Sequence, residues 1–184
     1  MRVIAGTAKG TRLGPVPRGV RPLSDRAREG LFSSLAHAVD GAAVLDLYAG
    51  TGAVGIEALS RGAGSAAFVE RDPGVVRAIR ANLQRTRLDE RATVVGSDVL
   101  RFLRRNDKSG APFNLCLLDP PYRAGISELQ AVLEGLAGGW LSPGGFTVVL
   151  TRGIRSSMPV IPVNWRVARR LEYGDSLMAL YREV

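Results

Sequence analysis

A chain of 184 residues with 46% apolar content has the size of one domain and can fill one core. No apolar run reaches the roughly eighteen residues that span a bilayer, and the opening MRVIAGTAKG lacks the apolar stretch and cleavage site of a secretory leader, so a cytoplasmic protein is expected. A formal charge of +8 points to an anionic partner, although 23 of the 25 basic residues are arginine, a bias that genome composition also produces.

Residues 2–16 (RVIAGTAKGTRLGPV) hold two short apolar runs separated by Gly6, Lys9 and Gly10 and are expected to form an irregular hairpin. Residues 24–39 follow with Ser24 or Asp25 as N-cap and Ala27, Leu31, Phe32, Leu35 and Val39 on one stripe, which predicts an amphipathic helix. His37 falls within that pattern with no second ligand nearby, so a structural role and no metal site are expected. Basic residues crowd this region: Arg2, Lys9, Arg12, Arg18, Arg21, Arg26 and Arg28 face only Asp25 and Glu29 within the first thirty positions.

From residue 42 onward strands and helices alternate. AAVLDLY, SAAFVERD, ATVVGSD, FNLCLLDPPY and GFTVVLT read as strands, with helices over GIEALSRG, Val75–Leu88, VLRFLRRN and SELQAVLEGLAGGWL. Near-continuous apolar strands separated by helices imply a parallel sheet covered on both faces, and right-handed crossovers make it doubly wound. Cys116 lies among Leu115, Leu117 and Leu118 and is expected in the core. At the end, WRVARRLEY and SLMALYREV flank Gly174-Asp175, which predicts an antiparallel hairpin.

The turn after the first strand, Asp46 to Gly55, contains a literal G-x-G-x-x-G at Gly50, Gly52 and Gly55. Glu70 ends the second strand about 20 residues beyond Gly50, where a carboxylate can accept from two ribose hydroxyls. Asp98 ends the third strand, placed either to accept from an adenine amino group or to cap the next helix. The pattern describes an adenosine-containing cofactor and leaves a nicotinamide dinucleotide open. Asp46 weighs against the latter, because a carboxylate there repels a pyrophosphate but pairs with an ammonium.

Leu118-Asp119-Pro120-Pro121-Tyr122 ends the fourth strand. An exocyclic amine on a base is a poor nucleophile because its lone pair is delocalised into the ring. Acceptors at Asp119 and the Pro120 carbonyl would each take one N–H and aim that lone pair at an electrophile, with Pro121 stiffening the turn and Tyr122 stacking on a flipped base.

These residues resemble the class I methyltransferases, and DPPY resembles the signature of their amino-methylating branch. More narrowly, R21-P-L-S-D-R-A-R-E-G-L-F32, D46-L-Y-A-G-T-G-A-V-G-I-E-A-L-S-R-G62, L118-D-P-P-Y122 and Y173-G-D175 resemble the RsmD family, in order and over nearly the whole chain. In the first block Leu23 and Ala27 stand where the family usually has threonine and valine, and Ser33, just after it, where asparagine often follows Leu-Phe. The resemblance implies a Rossmann-like doubly wound sheet, mostly parallel with a C-terminal antiparallel hairpin and a short N-terminal hairpin-plus-helix extension. It also implies transfer of methyl from S-adenosylmethionine to guanine N2 of 16S ribosomal RNA in the assembling small subunit, with S-adenosylhomocysteine as product and no metal.

The cofactor site is expected to comprise Asp46, Tyr48, Ala49, Gly50, Thr51, Gly52, Glu70, Arg71, Asp98, Val99 and Asp119. Asp119, Pro120, Pro121 and Tyr122 are the expected catalytic residues. Residues 1–40 would form an RNA platform carrying Arg2, Lys9, Arg12, Arg21, Arg26 and Arg28, and residues 41–184 the methyltransferase domain, acting as a monomer. The competing expectations are an adenine-N6 methyltransferase on RNA or DNA and a non-catalytic RNA-binding assembly factor.

Overall fold

The apolar runs form a central sheet in the computed structural model, which describes residues 1–15, 22–105, 107–108, 111–121 and 123–184. Its strands are β1 (Ala43–Leu47), β2 (Ser65–Glu70), β3 (Ala92–Gly96), β4 (Leu115–Leu118), β5 (Thr147–Gly153), β6 (Trp165–Tyr173) and β7 (Ser176–Glu183). They lie in the order β3-β2-β1-β4-β5-β7-β6. The first five are parallel, whereas β7 runs antiparallel to both β5 and β6. The expected doubly wound sheet and its closing hairpin are both present.

Strand alternation divides the core between two faces. Val44, Phe68, Leu117, Val149 and Leu180 pack beneath α1 (Asp25–Leu35), α2 (Ala53–Ser60) and α3 (Pro73–Thr86). Leu45, Val69, Cys116, Leu150 and Tyr181 face α4 (Val99–Leu103) and α5 (Ile126–Ala137). Burial pushes the Cys116 thiol well above its ordinary range, in keeping with the expected core position. The chain first builds outward from β1 to β3, then returns to lay β4 on the other side of β1. That reversal opens a crevice at the carboxyl ends of β1 and β4, where doubly wound sheets bind ligands.

Several element ends differ from those expected. The first helix stops at Leu35, with Ser24 as N-cap, and Ala36 (φ 39°) leads into a 3-10 turn that brings Val39 into the core. His37 is exposed on that turn. α5 ends at Ala137 rather than Leu141 because Gly138 and Gly139 follow. The chain then turns to bury Trp140 against Phe102 and Phe113, with its indole N–H donating to the Leu103 carbonyl at 3.0 Å. No helix among the described residues is long and apolar enough to cross a membrane.

The N-terminal hairpin forms one antiparallel bridge, Arg2 to Arg12, and satisfies much of its backbone on α2 instead. The Ile4 and Ala5 amides donate to the buried Glu57 carboxylate at 2.8 and 3.0 Å. Thr7 N donates to the Ser60 carbonyl at 2.8 Å, and Ala8 N to the Ser60 hydroxyl at 3.0 Å. This approach is close enough that a Cβ on Gly6 (φ +82°) would lie 1.7 Å from the Ser60 carbonyl oxygen. Val3, Ala8 and Leu13 share the core beneath α1 and α2, so the segment has no separate core of its own. Gly6→Ala should therefore cost about 1–3 kcal/mol through steric and backbone strain. Thermal denaturation should show a lower Tm, and hydrogen exchange should show lost protection over residues 3–13; an unchanged Tm would reject this docking.

Candidate active site

A cavity of about 990 Å³ occupies the crevice at the carboxyl ends of the strands. Every residue expected to hold the cofactor lines it except Gly52. Gly52 instead caps α2 in a left-handed conformation (φ 75°), which makes the chain reverse directly into the helix.

Asp46 is the innermost acid, 3% exposed near the end of β1, and its Oδ2 accepts the Gly55 amide at 3.0 Å. Gly55 is required by close approach, because a Cβ there would lie 2.4 Å from the Phe68 ring and 2.9 Å from Asp46 Oδ2. Burial drives the Asp46 pKa well above the usual carboxylate range. The Gly55 hydrogen bond opposes this, and the nearby charges of Asp119 and Glu70 reinforce it. Negative charge at Asp46 is thus disfavoured until a cation joins it.

Glu70 is shaped by three amides: Oε1 accepts from Arg71 and Asp72 at 2.8 and 3.0 Å, and Oε2 from Gly50 at 3.2 Å. Its carboxylate is thereby fixed against the glycine turn. Asp98 does cap α4, accepting the Arg101 amide at 3.2 Å, while remaining exposed at the cavity rim. The two readings of Asp98 are compatible, since one carboxylate oxygen is engaged in the cap. Tyr48 adopts φ 59° and donates its hydroxyl to Glu128 of α5 at 3.0 Å. Burial and Glu128 raise its pKa, so it remains a neutral strap between the glycine turn and α5.

Asp119 follows β4 directly, and Leu118 is in register with Leu47, which sets the Asp119-Pro120 exit beside the Asp46 turn. Asp119 is half-buried, Pro120 buried and Pro121 exposed; all three line the cavity. Tyr122 lies outside the described residues. The wall opposite the glycine turn comes from residues that sequence reasoning had not placed in the site: Thr151 and Arg152 on β5, and Tyr173 and Asp175 at the β6–β7 turn. Tyr173 and Asp175 belonged to a block that carried the family resemblance, but nothing in their spacing linked them to the cavity.

The expected nucleic-acid residues separate into two groups. Arg2, Lys9, Arg12 and Arg26 are exposed, and Arg26 lines the cavity mouth. Arg28 is fully buried, with Nη2 donating to the Arg2 carbonyl at 2.8 Å and to Asp25 at 2.7 Å. Its expected RNA contact is corrected: the stripe of α1 that faces the core carries Arg28 inward, where it pins the hairpin to the helix. Arg21 lies outside the described residues.

The crevice, its acids and the sheet order define a class I methyltransferase, and the comparisons agree. The family model described as Conserved hypothetical protein 95 matches residues 1–182, and the chain belongs to this family, the RsmD family. The chain is 37% identical to Ribosomal RNA small subunit methyltransferase D of Escherichia coli K12, over 99% of this chain and 89% of the relative. Its counterpart of that name in Haemophilus influenzae is 33% identical, over 99% and 93%. The solved structure of Escherichia coli yhhF superposes with a TM-score of 0.85 at 36% identity, covering 100% of this chain and 97% of that one. A more distant structure, SMU.776 complexed with SAH, shares the fold at a TM-score of 0.70 and 14% identity, covering 90% of this chain and 50% of that one.

The raised pKa of Asp46 has a thermodynamic consequence. A carboxyl protonated more readily in the folded state than in the unfolded one loses stability as pH rises through its unfolded value of about 3.8 toward the folded value. Asp46→Asn removes that loss and keeps an acceptor for the Gly55 amide. Ligand-free Asp46→Asn should melt above the parent at pH 7, with the gap closing toward pH 4, yet bind S-adenosylmethionine at least tenfold more weakly, an order of magnitude set by losing a buried charge pair. Melting curves at both pH values and calorimetric titration test this; a lower Tm at pH 7 would refute the electrostatic strain.

Proposed function

We propose that this protein transfers the methyl group of S-adenosylmethionine to the exocyclic N2 of a guanine in 16S ribosomal RNA of the small subunit. The observation that carries the proposal is the Asp119-Pro120 exit of β4, which opens into the same cavity as Asp46, Glu70 and Asp98. The names of the Escherichia coli and Haemophilus influenzae relatives support ribosomal RNA of the small subunit as the substrate class. The family likeness also weighs against the nicotinamide reading.

The residues present fit S-adenosylmethionine. The buried Asp46, with acids on either side, is a site for the ammonium of the methionine end. Glu70, held by three amides, would accept from the ribose hydroxyls, and Asp98 from the adenine amine, with Ala49, Gly50, Thr51, Arg71 and Val99 lining the channel between them. When bound, the cofactor supplies a methyl group activated by a sulfonium centre.

Asp119 and the Pro120 carbonyl each accept one N–H of guanine N2, which draws the nitrogen lone pair out of conjugation and toward the methyl carbon. Methyl transfer in line with that lone pair would leave S-adenosylhomocysteine as the other product, and the departing amine proton would pass to Asp119 or to solvent. Positioning and exclusion of water are the main contributions of the protein to this step. Arg26 would contact phosphate at the cavity mouth, and the exposed Arg2, Lys9 and Arg12 phosphates further along the RNA. The assembling small subunit is the proposed partner, with the protein acting as a cytoplasmic monomer.

Methyl transfer from labelled cofactor to unmodified small-subunit particles and to naked 16S RNA, followed by nucleoside digestion, should place the label in N2-methylguanosine. Asp119→Ala should lower kcat by about a hundredfold or more, a loss well beyond any change in cofactor affinity. Label in N6-methyladenosine would overturn the guanine assignment, and no label despite proven cofactor binding would favour a binding role. Replacing Arg2, Lys9, Arg12 and Arg26 by glutamine should weaken RNA binding and flatten its salt dependence by about 0.7–0.9 logarithmic units per phosphate contact removed. An unchanged slope in filter-binding assays would exclude these residues as phosphate contacts.

A further inference from the structure

Arg152 is the cavity residue whose placement the reaction above leaves unexplained. It lies on β5 two residues beyond Leu150, which is in register with Leu118, so Arg152 is level with Pro120 at the exit of β4. It is only 8% exposed and lines the same cavity as Asp119 and Pro120. Its Nη1 donates to the Ala124 carbonyl at 3.0 Å, bracing the loop that follows the two prolines. Its Nε is shielded from solvent and has no hydrogen-bond partner, and among the described residues Arg152 has no ion-pair partner.

A guanidinium remains charged in the folded interior, and a buried N–H without an acceptor is costly. Bracing Ala124 uses one of its five donors and does not require a charge. The remaining donor capacity is located beside the two groups that accept from the reacting amine. The cavity thus offers acceptors at Asp119 and Pro120 and a fixed cationic donor at Arg152 along its substrate end.

Guanine carries a complementary pattern. Its N2 amine donates, and its O6 accepts on the same base-pairing edge, whereas adenine presents an amine where guanine has O6. A donor at the far end of that edge would bond to O6 when guanine N2 occupies the acceptors, and would be left unpaired against the C2–H of an adenine whose N6 amine took that place. We propose that Arg152 is the residue that selects guanine over adenine, donating a guanidinium N–H to O6 of the base whose N2 is held by Asp119 and Pro120. This rests on the guanine-N2 reading above. A backbone phosphate is the less suitable acceptor, because Arg152 is buried level with Pro120, whereas the cavity's Arg26 and Arg123 are exposed.

The test is a paired substitution in enzyme and RNA. With the methylated position identified in wild-type product, 16S RNA is built with 2-aminopurine there, which keeps the 2-amino group and lacks O6. Wild-type kcat/KM should favour guanine over 2-aminopurine by roughly ten- to hundredfold, the range for a charge-assisted base contact. Arg152→Met should lose that factor on guanine and change little on 2-aminopurine, bringing the ratio near one. Equal losses on both RNAs would mean a phosphate contact or a mere brace on Ala124 and would overturn the proposal, as would a wild type that does not discriminate. If Arg152→Met fails to fold, judged by melting and cofactor titration, Arg152→Lys undergoes the same ratio test with the charge retained. Wild-type label outside N2-methylguanosine refutes the underlying reading before any variant is used.

Discussion

A carboxylate buried near the end of the central strand sets the terms for the rest of the molecule. Asp46 has 3% exposure, accepts the Gly55 amide and is close enough to Glu70 and Asp119 for their charges to add to the penalty of burial. The contact requires α2 to start close to the strand, and only glycine at position 55 permits this beside Phe68. A sharp turn, a helix packed tightly on the sheet and an electron-rich pocket therefore have one origin. The electrostatic strain disfavours the empty charged state and favours a cationic ligand, so binding and local stability oppose one another at this residue.

The same turn is tied to the N-terminal segment by Asn82 of α3. Its Oδ1 accepts the Gly14 amide at 2.8 Å, and its Nδ2 donates to the Thr51 carbonyl at 3.0 Å. Glu57 adds a second tie, holding Ile4, Ala5 and Arg61 from the buried face of α2. Arg28 adds a third, joining α1 to the Arg2 carbonyl. The basic hairpin is consequently fixed relative to the glycine turn by buried polar contacts. A segment read from sequence as an appended platform is packed into the same core as α1, α2 and α3.

The antiparallel β6–β7 hairpin plays the corresponding part on the other side. Its turn brings Tyr173 and Asp175 to the wall of the cavity, and the Tyr173 hydroxyl lies over α1 at Gly30. Two stretches about 140 residues apart in the chain, the start of α1 and the last hairpin, thereby form one rim. The glycine turn and the acids of β1 to β3 supply the opposite rim.

The sequence by itself determined the strand–helix alternation, the closing hairpin, the glycine turn and the positions of Asp46, Glu70, Asp98 and Asp119 near strand ends. These features are local: strand burial, helix periodicity and turn chemistry are each written within a few consecutive residues. Tertiary structure decided what local pattern could not encode. Arg26 and Arg28 are two positions apart on one helix, yet one lies exposed at the cavity mouth and the other is fully buried. Gly50, Gly52 and Gly55 look alike in the motif, but Gly52 turns the chain and Gly55 makes room for Asp46. Arg152 had no motif to mark it, because its role arises from the register of β5 with β4, a pairing between residues more than thirty positions apart.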